Sequence, residues 1–436
     1  MSIADTSKEQ NTKGGKIFYG WWLVAVSCVI NAFGVGTFFY GFSTFFNPMI
    51  AEFGWSRTMM SGVFSLSRLE GGIEGPLVGW LIDRIGARRV LLVGVSLTGL
   101  GFILLSQVNS IVSLYLIFGL VLSLGFNLGY IHATTASVSK WFIKKRSRAI
   151  SILVVGNGVG GALFVPLIAW LIVAYGWRNA AIIIGVVTLL VPLPLALFIK
   201  STPEEFGLRP DGEPKKSPVT SSGPIAKSIN EIVEPEEEVN LTVREALKTR
   251  AFWIYIGSMM LRNTILGSLV VHQIPHLVDI GITYQTAAGI LGSMILLSIP
   301  GRLFIGSLGD WIDKRILLFF LCLLQGVAIL ILIHATTIFL VYLFVVCFGL
   351  GYGGMISLSI SLRADLFGRK NYATISGISA ALVTVSSVLS PIFAGYIFDA
   401  TQSYDIAFYT FTAAIVMAGF LFLAIPKTGP RVRKLT

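Results

Sequence analysis

Seven ionisable side chains interrupt stretches that otherwise carry almost no charge: Arg68, Glu70, Glu74, His132, Arg262, His272 and Arg302. Arginine stays protonated in proteins, so a guanidinium at membrane depth demands an anion or a ring of acceptors. Its planar fork matches a carboxylate with two parallel hydrogen bonds. Glu70 and Glu74, one helical turn apart, and the two histidines can exchange protons as their surroundings change. Each has a plainer alternative. The two carboxylates could pair with Arg68 or with loop cations, the histidines could be hydrogen-bonded core residues, and Arg302 could be held by Glu70 or Glu74. The chemistry on offer is anion binding and proton transfer.

The elements that must position these groups are membrane spans. No Lys, Arg, Asp or Glu occurs in 17–51, 90–139, 149–177, 316–362 or 371–398. A water-soluble helix of such length would have to bury its whole circumference, whereas about 20 apolar residues cross a bilayer and satisfy their own backbone polar groups. Hydrophobic residues make up 54% of the chain and charged residues 13%, half the charge content of about 25% typical of globular proteins. Hydropathy predicts twelve spans, at 18–46, 57–82, 89–108, 111–140, 146–173, 178–200, 250–277, 283–309, 315–334, 337–362, 371–398 and 405–427. The expected fold is an all-α integral membrane protein.

Basic residues are distributed unevenly among the loops. With both termini cytoplasmic, the inner loops collect Arg84, Arg88, Arg89, Lys140, Lys144, Lys145, Arg146, Arg148, Lys314, Arg315, Arg369 and Lys370, and the outer loops hold Arg57 and Arg178. That asymmetry orients the chain by the positive-inside rule and explains the net charge of +11 without a nucleic-acid partner. The expected location is the cell (inner or plasma) membrane, and the polar stretch before Lys16 lacks the order of a cleavable signal.

A Pro-, Glu- and Lys-rich stretch at 201–249 divides the spans into two sets of six. The expected organisation is a cytoplasmic tail at 1–17, six-helix bundles at 18–200 and 250–427 joined by that cytoplasmic linker, and a tail at 428–436. The sets resemble one another. Gly79-Trp-Leu-Ile-Asp83-Arg84-Ile-Gly86-Ala-Arg88-Arg89 recurs as Gly306-Ser-Leu-Gly-Asp310-Trp-Ile-Asp313-Lys314-Arg315, and Pro166 recurs as Pro391. Internal repeats of this kind mark transporters whose two halves rock about a site near the midplane.

At these residues the chain resembles the major facilitator superfamily over essentially its full length, which implies two pseudo-symmetric six-helix bundles. In that superfamily the motif at 79–89 forms a latch at the cytoplasmic face, a role the resemblance places on Asp83, Arg84, Arg88 and Asp310. The second copy departs from the pattern with Trp311 and Asp313. Tyr19-Gly-Trp-Trp, Phe53-Gly-Trp-Ser-Arg57, Pro203-Glu-Glu-Phe-Gly-Leu-Arg-Pro-Asp-Gly212, Ala251-Phe-Trp253 and Gly301-Arg302-Leu look like the monocarboxylate and oxalate/formate porters. Those groups carry small organic acids, and the resemblance implies that Arg302 engages the substrate carboxylate. Arg262 could be a second anion contact, a gate, or the partner of a second-span carboxylate.

The departures bear on substrate and coupling. Oxalate-type porters carry a second cation in the eleventh span, and here 371–398 has none, which favours a monocarboxylate unless Arg262 supplies the other charge. The first-span Lys of animal monocarboxylate porters is absent, and Ser298 replaces their Asp. A coupled proton must then use Glu70, Glu74, His132 or His272.

Asn127, Tyr130 and Thr134 share one helix face. The repeat offset sets Asn127 opposite Tyr352, and tyrosines of the related porters' cavities make Tyr130 and Tyr352 candidate contacts beside Asn127, with packing through small residues as the alternative. Phe38, Phe39 and Tyr40 line an outer vestibule or face lipid. Gly156-Asn-Gly158-Val-Gly160-Gly161 satisfies a dinucleotide pattern but lies inside a span, where it serves close helix packing. Asn240-Leu-Thr242 matches a glycosylation acceptor in a cytoplasmic segment and should be unmodified. Cys28, Cys322 and Cys347 are expected to be inert thiols, and there is no metal-ligand spacing and no expected cofactor. The expectation is a transporter, not an enzyme, working as a monomer and moving a small monocarboxylate with a proton. The alternatives are oxalate/formate-type exchange, a transporter-like sensor and a cation-extruding drug porter.

Overall fold

The computed structural model describes residues 18–142, 146–203, 241–309, 311–368 and 372–426. Twelve long helical segments follow one another: α1 (Tyr19–Phe53), α2 (Arg57–Ile85), α3 (Ala87–Leu105), α4 (Ile111–Trp141), α5 (Arg146–Tyr175), α6 (Trp177–Leu197), α7 (Arg250–Asp279), α8 (Tyr284–Leu308), α9 (Lys314–Ile333), α10 (Ile338–Phe367), α11 (Tyr372–Thr401) and α12 (Asp405–Ala424). Eleven are long and apolar enough to cross a bilayer. The exception is α2, whose 29 residues carry Arg57, Arg68, Glu70, Glu74, Asp83 and Arg84; at 1.5 Å per residue it is nonetheless about 43 Å long.

Local sequence sets the ends. The Ser56 side chain accepts from the Met59 amide at 3.2 Å and starts α2. Gly86, Gly176 and Gly368 adopt φ of 91°, 80° and 78°, which stops one helix and allows the chain to turn. The expected linker is helical at its end, where Thr242 and Glu245 cap the short helix Val243–Lys248 reciprocally; residues 204–240, including Asn240 of the glycosylation pattern, lie outside the described residues. The first segment continues beyond the expected 18–46 to Phe53, through a π-helical stretch at Val35–Tyr40 and a 3₁₀ turn at Gly41–Phe45.

Helices α1–α6 pack among themselves, as do α7–α12, and the broad contacts between the sets run along α2 with α11 and α5 with α8. The glycines of the dinucleotide pattern lie in α5 and serve this packing: Gly160 faces Ala32 of α1, while Gly158 and Gly161 face Ile299 and Ile295 of α8. Gly353 of α10 does the same for α8. A Cβ there would come within 2.9 Å of the Arg302 amide nitrogen. Leu, Phe and Trp side chains cover the outer circumference, including Trp80, Phe304, Phe320, Phe339 and Phe420, as expected of helices whose solvent is lipid.

Candidate transport site

A cavity of about 710 Å³ lies between α1, α2, α4 and the first half of α11, lined by Phe38, Phe39, Phe64, Arg68, Phe118, Phe126, Asn127, His132, Thr374, Gly377, Ile378, Ala380, Ala381 and Thr384 among others. It reaches the part of α11 through which the chain enters from the α10 loop. That end of the bundle also holds the start of α1 and the end of α6, which meet where the Tyr19 hydroxyl donates to the Phe198 carbonyl at 2.8 Å.

The opposite end is shut. Arg57, at the start of α2, donates through both terminal nitrogens to Asp279 of α7 at 2.7 and 2.8 Å and to the Tyr404 hydroxyl at 2.5 Å. Its guanidinium lies 3.6 Å above the Phe398 ring. Asp399 of α11 accepts from the Arg57 and Thr58 amides at 3.0 and 2.9 Å, closing the exposed N-terminus of α2 with a charge from the other half. The Tyr284 hydroxyl donates to the Thr44 carbonyl. His272, fully buried beneath this cluster, lies 2.9 Å from the Tyr404 hydroxyl, 2.9 Å from the Pro391 carbonyl and 3.1 Å from the Ser61 hydroxyl.

Between the closed end and the cavity, the Tyr40 and Tyr352 hydroxyls meet at 3.2 Å across the two halves. Three guanidiniums surround this pair, and none forms an ion pair with a described residue. Arg262 is 5% exposed; its Nε and one terminal nitrogen have no partner, and its Cζ lies 5.6 Å from the Tyr352 ring centre. Arg302 donates to the Val154 carbonyl of α5 at 3.2 Å and to the Ser298 hydroxyl at 3.3 Å, leaving its Nε unpartnered. It sits in a π-helical turn, Gly301–Ile305, directly after Pro300, the kind of local rewinding that often re-aims a functional side chain. Arg68 lies 4.3 Å from the Phe39 ring centre, and Phe39 packs edge-on against Tyr40.

The remaining sequence candidates divide by position. Asn127 lines the cavity and donates to Glu74 at 3.1 Å, and among the described residues Glu74 forms no ion pair with an arginine. Glu70 lies against Gly119 of α4 with one oxygen buried and unpartnered. His132 lines the cavity. Tyr130 is fully buried behind it, stacked on Phe126 with ring centres 5.6 Å apart. The cavity wall omits Arg302, Arg262, Tyr130 and Tyr352. Arg84 lies 5.1 Å from the Trp80 ring centre, and the Arg88 amide faces the Ser201 hydroxyl at 3.5 Å. The Asp83 side chain and Asp310 lie outside the described residues. Among the described residues no cluster suits a metal ion, and all three cysteines are free thiols. Sequence reasoning missed the Arg57–Asp279–Asp399 cluster and the Tyr40–Tyr352 bond; the signal for the former was Arg57 itself, one of two basic residues in the outer loops.

Two sets of six helices with a polar, cationic middle, shut at one end and hollow toward the other, are the arrangement of a membrane transporter. The chain belongs to the Major Facilitator Superfamily, whose family model matches residues 28–382. It is not an enzyme. It is 29% identical to Monocarboxylate transporter 14 of Mus musculus, covering 86% of this chain and 84% of the relative, and 26% identical to Monocarboxylate transporter 2 of Homo sapiens, covering 93% and 85%. In fold it is similar to a bacterial homolog of the human lysosomal transporter Spinster in an inward-facing, occupied conformation, with TM-score 0.72, 15% identity, and 97% of this chain and 100% of that one covered. The nucleoside transporter NupG gives TM-score 0.71 at 12% identity, with 94% and 100% covered.

Proposed function

We propose that this chain moves a small monocarboxylate, of the lactate, pyruvate or acetate type, across the cell membrane together with a proton. The observation that carries the reading is the set of arginines Arg68, Arg262 and Arg302 around the Tyr40–Tyr352 pair, with no ion pair to a carboxylate among the described residues. A permanent positive charge in a dry helix bundle is costly, and an incoming carboxylate supplies the missing counter-charge. The similarity to proteins named monocarboxylate transporters supports the same cargo.

In this mechanism bundles 18–200 and 250–427 rock about α2–α11 and α5–α8. The carboxylate docks on Arg302, with Arg262, Asn127, Tyr130 and Tyr352 completing the site as the halves close, and neutralising the guanidinium lowers the cost of shutting the cavity. Glu70, Glu74, His132 and His272 are the groups available to carry the proton. Asp83, Arg84, Arg88 and Asp310 latch the opposite state. The excess of basic residues in the loops on the side of the termini supports cytoplasmic termini, so the cavity faces the cytoplasm.

Uptake of labelled lactate into proteoliposomes under an imposed pH gradient tests the reading. Accumulation with no internal substrate is the expected result. Uptake that strictly requires an internal organic anion replaces symport with oxalate/formate-type exchange, and no uptake of any carboxylate ends the proposal.

A further inference from the structure

The wall of the cavity is unlike what a three-carbon hydroxy acid would need. Five phenylalanines form it, and four of them interlock: Phe38 stacks on Phe118 and Phe126 with ring centres 5.2 and 4.7 Å apart, and Phe64 lies 6.1 Å from Phe118. Half of the polar side chains in the wall are engaged with the protein. Asn127 donates to Glu74, Ser67 accepts from Ser123 at 2.9 Å, and the Thr384 hydroxyl donates to the Ala380 carbonyl at 2.9 Å. Arg68 is the one permanently charged side chain among the lining residues, and it has neither an ion pair nor a hydrogen bond to a described residue.

A single free guanidinium beside an aromatic box recognises an amphipathic anion, with a carboxylate at one end and an apolar body at the other. A volume of about 710 Å³ falls in the range of about 300–1,000 Å³ that accommodates sizeable organic ligands. Lactate would leave most of it to water against aromatic surface and would find few free partners for its hydroxyl. We infer that the preferred cargo is a monocarboxylate with an aryl or branched-alkyl body, held in this state by Arg68 with its body against Phe38, Phe64, Phe118 and Phe126. The inference rests on the organic-anion reading above, keeps its monocarboxylate, and moves the preferred cargo from the lactate type to a larger apolar acid. Arg68 becomes the first contact from the open cavity, since Arg302 is occupied by Val154 and Ser298.

Calorimetric titration of the full chain in lipid nanodiscs with lactate, 3-methylbutanoate, phenylacetate and neutral phenylacetamide tests this. Phenylacetate and 3-methylbutanoate should bind about tenfold or more tightly than lactate, as expected for burying several additional apolar carbons, and the amide should not bind measurably. Arg68→Gln should abolish the preference for acid over amide, and Arg68→Lys should restore part of it. Gly377→Leu gives a readout that does not depend on Arg68 variants folding. A Cβ at Gly377 meets nothing within 4 Å, leucine is the better helix former, and the added bulk should lower the affinity ratio of phenylacetate to lactate. Equal or tighter lactate binding, or a preference for acid over amide that survives Arg68→Gln, overturns the inference and leaves anion transport standing. Failure of every acid to bind overturns both.

Discussion

Removing both acidic partners of Arg57 and Thr58 should open the closed end. Arg57 holds Asp279 with two hydrogen bonds of 2.7 and 2.8 Å, with the arginine side chain 13% and the aspartate 33% exposed. A buried charge-assisted bond contributes about 1.5–3 kcal/mol, but a pair this accessible to water is worth closer to about 1 kcal/mol. Asp399 caps the Arg57 and Thr58 amides at the start of α2, and losing such a cap costs about 1 kcal/mol. Both contacts join α2 of the first half to α7 or α11 of the second, so both are lost when that end separates. Together they favour the present state by about 2 kcal/mol, a factor of about 30 in the equilibrium. The assay is pulsed electron–electron resonance between nitroxides on Ala51→Cys and Gln285→Cys in a background of Cys28→Ser, Cys322→Ser and Cys347→Ser. With Asp279→Ala and Asp399→Ala added, the long-distance population should rise about 30-fold relative to the short one. An unchanged distance distribution would show that these contacts are incidental to the closure.

Three further outcomes follow from the same geometry. Arg302→Ala should cut uptake about 100-fold, and Arg302→Lys should restore little of it, because an ammonium cannot form the paired hydrogen bonds of the guanidinium; full activity in both variants would remove Arg302 from the site. Tyr352→Phe deletes the 3.2 Å bond to Tyr40, worth about 0.5–1.5 kcal/mol, and should move the same nitroxide distribution in the same direction as the aspartate variants, by a smaller factor. Gly353→Val places a Cβ within 2.9 Å of the Arg302 backbone nitrogen, and such overpacking costs about 1–3 kcal/mol; a lower melting temperature in detergent is expected, and an unchanged one would contradict the close α8–α10 contact.

The architecture was legible in the sequence because its signals are local. A charge-free run of about 20 residues specifies a span on its own, and the repeats at 79–89 and 306–315 identify the two halves without any knowledge of their packing. Arg302 stood out through Gly301-Arg302-Leu, a string similar to the related porters, and as a cation inside a span. What escaped depends on residues far apart in the chain. Arg57 meets Asp279 across 222 residues and Tyr40 meets Tyr352 across 312, and no periodicity reports such pairs. Tyr40 had been assignable to a vestibule or to lipid, and it is buried against the other half. Arg68 looked like a partner for Glu70 two residues away, yet residues i and i+2 do not face each other on a helix, and its guanidinium lies over Phe39 at the cavity.

The most direct test of an organic anion supplying the counter-charge is a cryo-electron microscopy structure of the protein in nanodiscs saturated with a transported carboxylate. The expected result is carboxylate density within hydrogen-bonding distance of the guanidinium of Arg68, Arg262 or Arg302. Cargo bound away from all three, with Arg302 still on Val154 and Ser298 and Arg68 still on Phe39, would contradict it.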